Sequence, residues 1–182
     1  MPPPPHAGSA ALVVIAMGVS GSGKSTLGGL LARQLDCPFL EGDDFHAADA
    51  VAKMRAGQPL DDEDRWPWLD RLGEAVAQAL ASRGAVVAAC SALRRSYRER
   101  LRAAVAPTPI RFVLLDAGHD ELVRRLAGRL GHYMPASLLD SQLSTLERPH
   151  EDEGVFTLDA AVPPERLCEM TRAWLERAAW PA

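Results

Sequence analysis

Five short apolar runs recur along the chain, each bounded by polar or turn-forming residues: LVVIAM (12–17), CPFLE (37–41), AVVAACS (85–91), IRFVLLD (110–116) and VFTLDA (155–160). They are too short for buried helices, and their near-continuous hydrophobicity is that of strands covered on both faces. Between them, stretches at about 24–36, 48–56, 62–82, 93–105, 118–130, 135–147 and 163–179 space their apolar residues as amphipathic helices do. Strand and helix in alternation predict an α/β fold with a parallel sheet flanked by helices. Ligands of such sheets sit at the carboxyl ends of the strands, so the chemistry is to be sought just after each run.

At 182 residues the chain fits one domain with one substantial core. The expected division is a mobile proline-rich tail over 1–11, MPPPPHAGSAA, and a single domain over 12–182. Lys and Arg number 20 against 24 Asp and Glu, a net charge of -4, which leaves no broad basic surface; no nucleic-acid partner is expected. Cys37, Cys90 and Cys168 are odd in number and widely spaced, so they read as reduced thiols of a cytoplasmic protein and define neither a disulfide framework nor a zinc site. The first apolar run follows no positive charge and is too short for a signal peptide or a span, so no membrane association is expected.

The segment GVSGSGKST follows the first predicted strand and opens the first predicted helix, and Gly18, Gly23, Lys24 and Ser25 fit G-x-x-x-x-G-K-[ST] with both flanks in place. Such a loop wraps phosphates closely, aiming backbone N–H groups at the oxygens while the helix amino terminus adds positive potential. Gly18, Ser20, Gly21, Ser22, Gly23, Lys24, Ser25 and Thr26 are therefore the expected nucleotide contacts. Lys24 reaches toward the β and γ phosphates and Ser25 toward Mg²⁺, which makes ATP or GTP the expected ligand.

The second run ends in FLEGDDFH, setting Glu41, Asp43 and Asp44 at the carboxyl edge of the sheet. One of these carboxylates can hold Mg²⁺ through water and another can accept a hydroxyl proton; Asp43 and Asp44 are equally good caps for the next helix. In KMRAGQPLDDEDRWPWLDRL, Gly57 and Pro59 mark a turn and Asp61 or Asp62 can cap the helix that follows. Pro67 is expected among the early residues of that helix, whose N–H groups lack partners. Trp66 and Trp68 read first as core. Arg125 and Arg129, four apart, share one helix face.

GVSGSGKST, GDDFH, KMRAGQPLDDEDRWPWL, CSALRRSYRERLR and GHYMPASLLDSQLSTLERP, in this order and spacing, resemble the gluconokinase family of small P-loop kinases over about residues 12–160. The resemblance implies ATP- and Mg²⁺-dependent phosphorylation of D-gluconate to 6-phospho-D-gluconate. It implies a five-stranded parallel sheet of order 2-3-1-4-5, similar to shikimate and adenylate kinases, with a small lid at about 125–137. Dimers are common in the family. Carried onto this chain, Asp43 resembles the general base, and His46, Arg65 and Arg98 the gluconate contacts. Arg125 and Arg129 resemble the lid arginines on the nucleotide phosphates, with Arg129 acting on transition-state charge beside Lys24. Ser25 and Glu41 are the expected metal positions. The chain departs from the family pattern at Ala47 and Ala50, where it usually has proline and asparagine, at Arg94 in place of lysine, and at Leu143 in place of phenylalanine. A non-catalytic nucleotide switch would want long switch loops that the chain lacks, and its later blocks do not resemble shikimate or nucleotide kinases.

Overall fold

The computed structural model describes residues 11–128 and 137–177. Residues 1–10 of the proline-rich tail and residues 129–136 of the expected lid, Arg129 among them, lie outside the described residues. In chain order the elements are β1 (Leu12–Met17), α1 (Lys24–Gln34), β2 (Phe39–Glu41), a 3₁₀ turn (Gly42–Phe45), α2 (Ala48–Arg55), α3 (Asp62–Arg83) and β3 (Ala85–Ala89). Then come α4 (Arg95–Ala104), β4 (Ile110–Asp116), α5 (His119–Ala127), α6 (Ser137–Thr145), a second 3₁₀ turn (Glu151–Glu153), β5 (Phe156–Asp159) and α7 (Pro164–Arg177).

All strand pairs are parallel and the order is β2-β3-β1-β4-β5, as expected. β1 is central, with Val13 opposite Val86 of β3 and Ile110 of β4. Its run looks uniformly apolar because alternate residues serve two different cores. Val13, Ile15 and Met17 pack with Trp68, Leu69 and Leu72 of α3 and Tyr97 and Leu101 of α4. Val14 and Ala16 pack with Leu27 and Leu31 of α1 and Leu167 and Cys168 of α7. Each fully buried Val, Leu or Ile contributes about 1.5–3 kcal/mol, so both faces drive the same sheet together.

A smaller layer lies over the carboxyl edge. Leu139 of α6 joins Val19, Leu93 and Leu122, while its neighbour Leu138 joins Ala50, Met54 and Leu60. Ala50 thus stands as a buried apolar contact where the family usually has asparagine, and Leu143 packs against the first of these clusters.

The start of α3 is fixed by a reciprocal cap: Asp64 N–H donates to Asp61 Oδ1 at 2.9 Å and Asp61 N–H donates to Asp64 Oδ2 at 3.2 Å. Asp61 is therefore the cap. Pro67 is placed differently from the expectation: counting from Asp62, it is the sixth helical residue, and Arg65 N–H already donates to Asp61 O at 3.2 Å. Pro67 has no N–H for the Glu63 carbonyl, so its position costs an intrahelical bond.

Candidate active site

The loop after β1 is shaped by residues that cannot be replaced without strain. Gly18 has φ 140°, and a Cβ on it would lie 2.8 Å from the Leu115 carbonyl and 2.9 Å from Ser22 Oγ. Gly21 and Gly23 also have positive φ, 85° and 100°, and Gly23 caps α1. These are conformations that glycine adopts at no steric cost. The loop is tied across the sheet by Gly18 N–H donating to Ser91 O at 3.3 Å. Lys24 Nζ donates to Val19 O at 3.0 Å, which lays the ammonium back across the loop. The first turn of α1 carries no acidic residue, so its positive end is not offset there. Ser22 Oγ is buried without a hydrogen-bond partner among the described residues, while Ser25 and Thr26 stand exposed at the helix start.

Two clefts flank this loop. On one side Gly21, Ser22, Gly23 and Thr26 face Arg124 and Arg125 across a groove of about 910 Å³, counting its open mouth. Arg125 is built into that wall: it donates to Glu121 Oε1 at 2.6 Å, to Ala160 O at 2.6 Å and to Ser22 O at 3.4 Å. On the other side lies a cleft of about 560 Å³, again with its mouth, to which Ser20, Lys24, Asp43, His46, Arg65 and Trp68 contribute.

The second cleft is assembled by α3 gripping the turn after β2. Gly42 packs where no side chain fits, since a Cβ would lie 2.2 Å from the Ala89 carbonyl. Trp68 Nε1–H donates to Gly42 O at 2.7 Å and Arg71 Nε–H to Phe45 O at 2.8 Å. Spaced i,i+3 on one helix face, these two residues bracket the turn that carries Asp43. Asp43 lines the cleft, whereas Asp44 is exposed and does not. The His46 ring stacks on Trp68, centroids 4.2 Å apart and planes at 13°. Burial pushes the His46 pKa down to about 4 against the opposing pull of Asp43, with Arg71 and Arg65 adding to the decrease. The imidazole is therefore neutral near pH 7, and its Nδ1 is buried with no hydrogen-bond partner among the described residues. Trp68 is accordingly both core and cleft wall.

Arg98 is not brought to this cleft. It is fully buried, paired bidentately with Glu153 (Nε to Oε2 at 2.7 Å, Nη2 to Oε1 at 2.8 Å), and its Nη1 reaches the carbonyls of Ala92, Leu93 and Glu147. The expectation of a gluconate contact is corrected on that ground: the guanidinium is fully buried and each of its three nitrogens is already engaged. Three polar residues around the cleft were not anticipated. Gln142 Oε1 accepts from Ser20 N–H at 2.7 Å, joining α6 to the phosphate loop, while Asp62 and Tyr97 form a network behind Arg65. Gln142 had a sequence signal, a polar residue i+4 and i+3 from the buried Leu138 and Leu139.

The donor chemistry suits a hard divalent cation. Ser25 stands at the start of α1, Glu41 ends β2, and Glu41, Asp43 and Lys24 all act electrostatically on buried Cys90, whose thiol burial pushes up to about 12. Among the described residues no three His, Cys, Asp or Glu side chains gather as a self-sufficient metal site. Mg²⁺ keeps waters and takes one or two protein oxygens together with substrate phosphates, and Ser25 and Glu41 are oxygen donors of that type.

A loop of this kind between two clefts, on a sheet of this order, places the chain among the small P-loop kinases. An AAA domain family model matches residues 13–149. The gluconokinase of Gluconobacter oxydans is 49% identical over 160 residues, 86% of each chain. Among solved structures, a gluconokinase from Sinorhizobium meliloti is 44% identical with TM-score 0.82, covering 93% of this chain and 94% of its own. A sugar kinase from Janibacter sp. is 43% identical with TM-score 0.85, covering 91% and 95%. The chain belongs to the gluconokinase family.

Proposed function

We propose that the protein transfers the γ-phosphoryl group of ATP to the 6-hydroxyl of D-gluconate, giving 6-phospho-D-gluconate and ADP. The observation that carries this reading is the shared cleft, in which Lys24 from the loop, Asp43 from the turn after β2 and Arg65 from α3 line one space. A cation for the transferred phosphoryl group, a proton acceptor and a cation for an acidic substrate thus line one cleft. Asp43 accepts the hydrogen bond of the attacking hydroxyl and takes its proton as the new oxygen–phosphorus bond forms and the bond to the β-phosphate oxygen breaks. Lys24 stabilises the charge that moves onto the bridging oxygen. Arg65 binds the carboxylate at the far end of gluconate, and neutral His46 exchanges hydrogen bonds with the acceptor hydroxyls. Arg125, fixed between Ser22 and Ala160, shapes the nucleotide groove, and Arg129 supplies the lid cation. Ser25 and Glu41 would hold Mg²⁺, which would supply charge neutralisation for the β and γ phosphates. The reading sets the enzyme in the cytoplasm, where ATP is at hand and its three free thiols stay reduced.

Phosphorus NMR of a reaction with gluconate tests it. The expected result is a phosphomonoester on gluconate in equal amount to ADP. ADP with inorganic phosphate alone would overturn the transfer.

A further inference from the structure

Arg65 lines the acceptor cleft without a carboxylate partner among the described residues. What holds it is a neutral hydroxyl: Nη1–H donates to the Tyr97 hydroxyl at 2.9 Å, and the guanidinium carbon lies 5.5 Å from the Tyr97 ring centre. Tyr97 is itself immobilised. It is 1% exposed, Trp66 meets its ring edge-on at 5.3 Å, and its hydroxyl donates a short hydrogen bond to Asp62 Oδ1. Burial and that carboxylate both push the phenol pKa up, so the proton stays on the tyrosine. The other oxygen of Asp62 accepts from Arg94 Nη1 at 2.9 Å.

The charges sort themselves accordingly. Asp62 pairs with Arg94, and the phenol between Asp62 and Arg65 carries no charge. With its proton committed to Asp62, the Tyr97 oxygen offers Arg65 only a lone pair. It can fix one edge of the guanidinium without neutralising it, and the remaining N–H groups keep their fork for a bidentate partner. A carboxylate in Tyr97's place would quench the cation. No partner at all would leave a long side chain to lose its rotamer freedom on binding.

We propose that Tyr97, held by Asp62, is a positioning residue that sets the cleft's preference for a carboxylate-bearing acceptor over a neutral polyol. This rests on the reading of Arg65 as the carboxylate contact.

The test compares Arg65→Ala, Tyr97→Phe and Asp62→Asn, each assayed with gluconate and with sorbitol, which lacks the carboxylate. Specificity is read as kcat/KM at high enzyme concentration, and as the inhibition constant of sorbitol against gluconate where its turnover is too slow. Tyr97→Phe keeps the buried ring, and an unchanged melting profile checks that the core is intact. Losing one orienting hydrogen bond to a charged group should lower kcat/KM for gluconate roughly 5- to 20-fold. Sorbitol and the KM for ATP should stay within about twofold, since neither meets the Arg65 fork. Asp62→Asn should shift the same ratio in the same direction. If Arg65→Ala is selective for gluconate but Tyr97→Phe penalises both acceptors equally, or neither, the positioning role is overturned while the reading of Arg65 stands. If Arg65→Ala penalises both acceptors alike, the reading of Arg65 itself falls, and the proposal with it.

Discussion

At the scale of single residues, Lys24 and Asp43 meet in one cleft from elements that are far apart in sequence, and each makes a sharp prediction. Lys24→Ala should lower kcat at least about 100-fold in a folded protein, the usual consequence of removing an electrostatic stabiliser of the transition state. Steady-state kinetics beside a circular dichroism spectrum check this, and near-normal turnover would contradict it. Asp43→Asn should cost about 100- to 10,000-fold in kcat with nucleotide affinity little changed, whereas Asp44→Asn should be mild because that side chain is exposed outside the cleft. The reverse pattern would move the base to Asp44. His46 carries a pH prediction. Its folded pKa of about 4 lies below the usual 6.5, so the unfolded chain binds the extra proton first. Its contribution to stability is full above pH 6.5 and falls as pH drops through about 4. NMR titration of the ring should give a midpoint near 4, and one near 6.5 would mean that the Trp68 stack does not bury it.

At the scale of elements, α3 and α6 do the positioning. α3 grips the Asp43 turn through Trp68 and Arg71, and α6 grips the phosphate loop through Gln142. Gln142→Leu leaves Ser20 N–H without that acceptor, and a preorganised loop should become one that must be ordered on binding. The expected result is a roughly 5- to 30-fold weaker affinity for a non-hydrolysable ATP analogue, measured by calorimetry, because an orphaned backbone donor costs about 1–2 kcal/mol. Unchanged affinity would show that the bond is incidental. The helices and strands themselves were legible because the apolar periods are strong: β1 and β4 begin and end where the runs LVVIAM and IRFVLLD do. The two 3₁₀ turns at Gly42–Phe45 and Glu151–Glu153 were not, since each is short and rests on distant partners. Trp68 read as core because an indole i+1 from a helix-interior proline carries no sign of the carbonyl it will cap. Arg98 read as a ligand contact through the resemblance of its segment to the family pattern, and only the fold brings Glu153 to it across 55 residues.

At the scale of the whole molecule, the candidate site residues Lys24, Asp43, His46 and Arg65 line one cleft, and the opposite requirement, stability, is met away from it. Arg98, Glu153 and the carbonyls of Ala92, Leu93 and Glu147 lock α4 to the segment between α6 and β5. Arg98 holds the Glu153 carboxyl down at about 2, so its contribution is complete above the ordinary value of 4.5 and is lost as pH falls from there through about 2. Glu153→Gln strands a buried guanidinium and should destabilise the fold by about 3–5 kcal/mol at pH 7. In urea melts the difference from wild type should shrink as pH drops below 4.5. A pH-independent difference would mean that the pair is not what holds the segment. Among the described residues no helix is long and apolar enough to cross a membrane. The architecture as a whole exists to bring one phosphoryl donor and one acidic polyol together, and the measurement that addresses this most directly is ADP release across a panel of acceptors. With ATP and Mg²⁺, the purified protein should release ADP rapidly with D-gluconate and at least about tenfold less efficiently with sorbitol, shikimate or a nucleoside monophosphate. Release that is faster with shikimate or a nucleoside monophosphate, or that is the same with no acceptor present, would contradict the account.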